Sequence, residues 1–210
     1  MQDKILKGVC EYYTNKLEKF GDTHLGVDWN SKASQYLRFE QLSKVINENQ
    51  FSVLDYGCGY GELVNYLSQV ENFEMTYFGY DISKEMLRQA RSIFKYRQNV
   101  AFLGSLQKQK FDFVIASGVL NVKLNLASDN EWLDYVITML NQMNELSVKG
   151  FSFNALTVYS EKKYMKDYLY YADPIFLFDY CKKHFSKDVA LLHDYKLYEF
   201  TLIIRKWIEL

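Results

Sequence analysis

Hydrophobic positions recur along this chain at two periods, and the change from one to the other divides it. In residues 2–20, Ile5, Leu6, Val9, Tyr13, Leu17 and Phe20 fall at three- and four-residue intervals and Gly21 follows, which predicts an amphipathic helix that stops there. Residues 21–33 are rich in turn formers around Trp29, and the spacing of Tyr36, Leu37, Leu42, Val45 and Ile46 predicts a second helix over about 34–48. From residue 51 the pattern changes to short apolar runs alternating with helical stretches. Strands are predicted at 51–56, 75–80, 99–103, 111–116 and 150–156. Helices are predicted at 62–70, at 84–94 behind Ser83 as N-cap, from Ser128 and Glu131 in capping-box spacing, and at 163–185. Two further runs, 189–193 and 197–205, read as a closing hairpin. Strands alternating with helices imply an α/β fold: a doubly wound, mostly parallel sheet with helices on both faces. The organisation expected is an N-terminal helical cap over 1–48 and a single compact core over 49–210.

Composition fits one soluble globule. The chain has 210 residues, 49% apolar and 24% charged, enough to bury a sizeable core. With 25 basic against 26 acidic residues the net charge is −1, so no overall attraction to a nucleic-acid backbone is expected. Cys10, Cys58 and Cys181 are odd in number and far apart, which suggests neither a disulfide framework nor a zinc knuckle and suits a reducing, cytoplasmic setting. The N-terminus is charged, and no run approaches the roughly 18 apolar residues that span a bilayer, so no membrane partner is expected. Aromatic residues reach 17%, with 18 tyrosines, many of them between Tyr159 and Tyr198. Tyrosines in a cleft suit ligands with apolar faces and polar edges, because the ring packs while the hydroxyl hydrogen-bonds.

The most informative stretch runs from Val53 to Glu62: strand, glycine-rich turn, helix. Gly57, Gly59 and Gly61 allow positive φ and close backbone approach to a ligand. A P-loop would end in Gly-Lys-Ser/Thr, which is absent, and the dinucleotide fingerprint would have a glycine where Glu62 stands. A pyrophosphate would meet that carboxylate in the first helical turn, which disfavours a nicotinamide oxidoreductase. Asp55, two positions before the first glycine, suits a cationic group such as an ammonium. Asp81 ends the next strand, 24 residues after Gly57, where a carboxylate accepts both hydroxyls of a ribose. A ligand combining a ribose with a positively charged amino-acid end meets both requirements.

On Asp55, Gly57, Gly59, Gly61 and Asp81 the sequence resembles the class I S-adenosylmethionine-dependent methyltransferases. The resemblance implies strand order 3-2-1-4-5-7-6 with the last strand antiparallel, S-adenosyl-L-methionine as cofactor and S-adenosyl-L-homocysteine as product; no His/Cys/Asp cluster has metal-ligand spacing, so no metal is expected. It implies that Ile82 and Met86 pack on the adenine, that Leu106 flanks it, and that Ser117 and the residues after it face the methionine end. Where many members carry an acid for the adenine amino group, this chain has only Ser105. By the same resemblance Arg38, on the helix ahead of the glycines, binds the methionine carboxylate. The segments 26–31, 36–39, 169–174, 193–195 and 198–201 look like those of small bacterial methyltransferases associated with sugar and surface-polysaccharide pathways.

The sulfonium already activates the methyl group, so positioning can do most of the catalytic work. A hydroxyl acceptor would gain from a base near neutral pKa, which makes His24 and His193 the catalytic candidates. Trp29, Tyr170, Tyr171 and Asp173 are the candidates for the acceptor pocket. The function expected is methylation of a small molecule, at a hydroxyl of a sugar or sugar nucleotide, by a monomer or homodimer. The competing reading is a non-catalytic cofactor-binding subunit whose aromatic cap meets a partner.

Overall fold

Each strand of the core places alternate side chains on opposite faces, and that period of two builds two separate apolar layers. The computed structural model describes residues 2–70 and 73–206. Its seven strands are β1 (Gln50–Tyr56), β2 (Glu74–Tyr80), β3 (Val100–Leu103), β4 (Phe111–Ala116), β5 (Ser147–Leu156), β6 (Asp188–Leu192) and β7 (Glu199–Arg205). They form one sheet in the order β3-β2-β1-β4-β5-β7-β6. β1 to β5 are parallel, and β7 runs antiparallel to both β5 and β6. The class, strand order and antiparallel last strand agree with the expectation from the sequence.

The helices are α1 (Gln2–Phe20), α2 (Lys32–Ser43), α3 (Glu62–Leu67), α4 (Lys84–Ile93), α5 (Asp129–Leu146) and α6 (Pro174–His184). On one face Leu54, Val114, Phe153 and Leu202 pack with Trp132 and Met139 of α5, Leu177 of α6 and Ile5 of α1. On the other, Val53, Phe113, Ile115 and Ile203 pack with Phe39 and Leu42 of α2 and Leu63 and Leu67 of α3. Residues 1–48 thus contribute to both layers. Between β3 and β4 the chain makes only bends, so no crossover helix covers that part of the sheet. α1 packs against the start of α4, with the Cys10 thiol against the Ile82 carbonyl and the Thr14 hydroxyl 2.9 Å from that of Ser83.

Element boundaries depart from the sequence expectation at several elements, among them α3, which ends at Leu67 rather than at residue 70. The expected 163–185 helix begins only at Pro174; residues 165–173 run irregularly, with single bridges from Leu169 to Val122 and from Ala172 to Thr157. Proline disfavours helical geometry in the residue before it, and Asp173 instead caps the helix, accepting the N–H groups of Ile175 and Phe176. α2 starts earlier than expected because the Ser31 hydroxyl accepts the Ser34 N–H, and it ends at Ser43; Val45 and Ile46 stay buried but lie in a turn. β5 begins at Ser147, directly after α5, rather than at 150.

Candidate active site

The sheet order reverses between β1 and β4, and a cleft opens above the carboxyl ends of these strands, where sheets of this type bind ligands. Its floor is the glycine corner. Gly57, Gly59 and Gly61 have φ of 82°, 53° and 91°. A Cβ on Gly57 would lie 2.2 Å from a Val119 methyl, and one on Gly59 2.9 Å from a Val27 methyl, so backbone geometry and neighbours both demand glycine there. Gly61 caps α3, and a Cβ on it would meet the ring of Phe94 at 2.9 Å. The corner is fastened to β2: Gly57 and Cys58 both donate their N–H to the Tyr80 carbonyl.

Two carboxylates flank this corner. Asp55, 3% exposed, accepts the Tyr77 hydroxyl at 2.6 Å. Burial pushes its pKa up to about 7, opposed by the Tyr77 hydrogen bond and assisted by the nearby Asp81 charge. Asp81 is half-buried; one oxygen accepts the Gly59 N–H at 2.9 Å and the other the Ser83 N–H at 2.8 Å. A carboxylate offers about four lone-pair sites, so two remain for a ligand. Burial raises this pKa too, against the pull of those backbone donors. Glu62 also lines the cleft, and its carboxylate accepts the Tyr36 hydroxyl and the Asn65 amide and lies 3.4 Å from Lys32.

Of the residues singled out in the sequence, Asp55, Gly57, Gly59, Asp81, Ile82, Met86, Ser117 and Trp29 line this cleft, whose volume is about 320 Å³. Ser105 is exposed and Leu106 half-buried, both outside it. Arg38 differs most from expectation. It lies away from the cleft, its guanidinium held by Glu199 through contacts of 2.9, 2.9 and 2.5 Å and by the Ser34 carbonyl, with the Trp29 ring 4.0 Å away. Sequence spacing could not reveal a partner 161 residues away. The cleft is completed by Leu6, Val9 and Tyr13 of α1, read from the sequence only as helix stripe, and by Gln35 of α2 and Tyr135 and Met139 of α5. The apolar periodicity of α1 marked a buried face without saying that part of it bounds a cavity.

A second cavity of about 360 Å³ adjoins the first, and Tyr13, Val27, Trp29 and Gly118 line both. Tyr171 lines this second space, and its hydroxyl accepts the Lys166 N–H at 3.0 Å. Tyr170 is buried in the core beneath, and Asp173 is the exposed cap of α6. Neither His24 nor His193 lines either cavity: His24 is half-buried in the turn before Trp29, and His193 is exposed beside the rings of Tyr159 and Phe200. Among the described residues no group of three His, Cys, Asp or Glu is arranged to hold a metal ion. No described helix is long and apolar enough to cross a membrane.

Comparison with known proteins gives the family and the fold. A methyltransferase-domain family model matches residues 47–172. Rv1506c of Mycobacterium tuberculosis, named as a methyltransferase, is 46% identical over 165 residues, covering 78% of this chain and 98% of that protein. Among solved structures, the N-methyltransferase NodS from Bradyrhizobium japonicum, in complex with S-adenosyl-L-homocysteine, superposes with TM-score 0.62 at 11% identity, covering 93% of this chain and 96% of that one. A SAM-dependent methyltransferase from Aquifex aeolicus gives TM-score 0.55 at 14% identity, covering 84% and 94%. The two structures share the fold, and the family match with the curated relative goes further: this chain belongs to the methyltransferase-domain family.

Proposed function

We propose that the protein transfers a methyl group from S-adenosylmethionine to a small molecule, at a hydroxyl such as that of a sugar. The observation that carries the reading is the pairing of the glycine corner, flanked by Asp55 and Asp81, with a second cavity that opens from the same cleft. The residues present fit the cofactor. Two buried polar atoms of the cleft, the Ser117 hydroxyl oxygen and the Gln35 amide oxygen, have no hydrogen-bond partner among the described residues, and such atoms call for a ligand or water.

When bound, the cofactor supplies a methyl group on a positively charged sulfur. Asp81 holds the ribose hydroxyls with its remaining lone pairs, and Ile82 and Met86 pack on the adenine. Asp55 faces the ammonium of the methionine end, and the cation keeps that buried carboxylate ionised. Val27, Trp29 and Tyr13 exclude bulk water from the reacting end.

Calorimetry with S-adenosylhomocysteine tests the reading: saturable binding below about 100 μM is expected. Absence of binding at that concentration overturns it. Release of labelled methyl to an acceptor pool separates an enzyme from a binding subunit.

A further inference from the structure

We infer that the second cavity is an acceptor chamber for a neutral ring compound bearing a hydroxyl group, and that the Tyr13 hydroxyl at its neck takes the hydrogen bond from that group. This rests on the methyl-transfer reading and narrows its acceptor. Any transfer between the cavities must occur at the wall they share, which is Tyr13, Val27, Trp29 and Gly118. Of these only Tyr13 and Trp29 carry a polar side-chain atom. Indole N–H donates only, whereas a phenol hydroxyl both donates and accepts. The Trp29 ring is further fixed between the Arg38 guanidinium and Gly118, where a Cβ would lie 2.6 Å from it.

The Tyr13 hydroxyl has no hydrogen-bond partner among the described residues, although its ring is half-buried. Burial, together with the charges of Asp28 and Asp81, holds its proton on and pushes its pKa up. Tyr13 is therefore a neutral orienting group and not an ionised base. It aims a lone pair of the acceptor oxygen at the neck. On transfer that oxygen gains the methyl carbon, the carbon–sulfur bond breaks with its electron pair on sulfur, and the hydroxyl proton passes to the Tyr13 oxygen, which releases its own proton in exchange to water at the open mouth of the chamber.

The chamber walls select the rest of the ligand. Tyr168 and Tyr171 line it, and the exposed rings of Tyr164 and Tyr198 stand 5.6 Å apart at its mouth. Aromatic faces with hydroxyl edges suit a flat or ring-shaped partner. The carboxylates that line it are matched internally. Glu199 takes the Arg38 guanidinium, and Asp28 takes Lys16 and the Tyr12 hydroxyl, each at 2.6 Å. A phosphate on the ligand would face those two carboxylates, with exposed Lys166 as its one cation not already in an ion pair among the lining residues. Neutral acceptors are favoured over phosphorylated ones for that reason.

Ligand-observed NMR on protein saturated with S-adenosylhomocysteine tests this with phenol, anisole, methyl glucoside and phenyl phosphate. Phenol or methyl glucoside should bind below about 20 mM, the tighter of the two naming the source, and phenyl phosphate more weakly than phenol. Tyr171→Ala and Tyr198→Ala should weaken the ring probe about fivefold or more. Tyr13→Phe should lower the phenol-to-anisole affinity ratio about fivefold, a ratio in which effects on cofactor affinity or folding cancel. Three results would overturn the inference: no binding of either neutral ring, phosphate preferred, or an unchanged ratio in Tyr13→Phe. Failure of S-adenosylhomocysteine itself to bind would instead remove the methyl-transfer reading beneath it.

Discussion

Asp55 carries a conflict between stability and ligand binding. Unfolded, its carboxyl ionises near 3.8; folded, burial moves that to about 7. Between these values the folded state holds the proton and the unfolded state has lost it, so raising the pH favours unfolding. Asp55→Asn keeps an acceptor for the Tyr77 hydroxyl and removes the conflict. The variant should be more stable than the parent by about 4 kcal/mol at pH 8 and nearly equally stable near pH 4, as read by thermal unfolding. At pH 8 it should also bind S-adenosylhomocysteine about tenfold more weakly, since the ammonium loses its counter-charge. Residues of this kind were legible in the sequence because their chemistry follows from position in a local motif: the glycines and the two acids needed only a strand end and a turn. Arg38 was not legible in the same way. Its role depends on Glu199, which only the folded sheet brings to it.

Among the elements, periodicity located every helix and strand of the core but misjudged where some begin. The 163–185 stretch is the clearest case, for its apolar content continues through residues that the fold holds as irregular chain. The local signal that fixes the true start, Asp173 ahead of Pro174, was present all along. Asp173→Ala should cost about 1 kcal/mol in chemical denaturation and leave S-adenosylhomocysteine binding unchanged, since the residue caps α6 and touches neither cavity. α1 shows the opposite limit. Its stripe was read correctly, yet the same residues serve two purposes: Ile5 enters the core, while Leu6, Val9 and Tyr13 wall the cleft. A hydrophobic pattern reports burial against something, and protein and ligand look alike to it.

For the molecule as a whole, the Arg38–Glu199 pair joins α2 to the last strand and extends to the site. Asn154 of β5 donates to the Glu199 carboxylate at 2.5 Å and accepts the Gly118 N–H at 2.8 Å, and Gly118 lies at the neck between the cavities. Removing one partner strands a buried charge. Glu199→Ala should cost about 3–5 kcal/mol in urea denaturation, whereas Arg38→Met combined with Glu199→Gln, which removes both charges, should cost less than half as much. The leading segment walls both cavities: Leu6 and Val9 line the cofactor cleft, and Tyr13, Val27 and Trp29 line that cleft and the chamber beyond it. Donor berth and guest room thus share one partition, and exchanging the first thirty or so residues would retailor both at once.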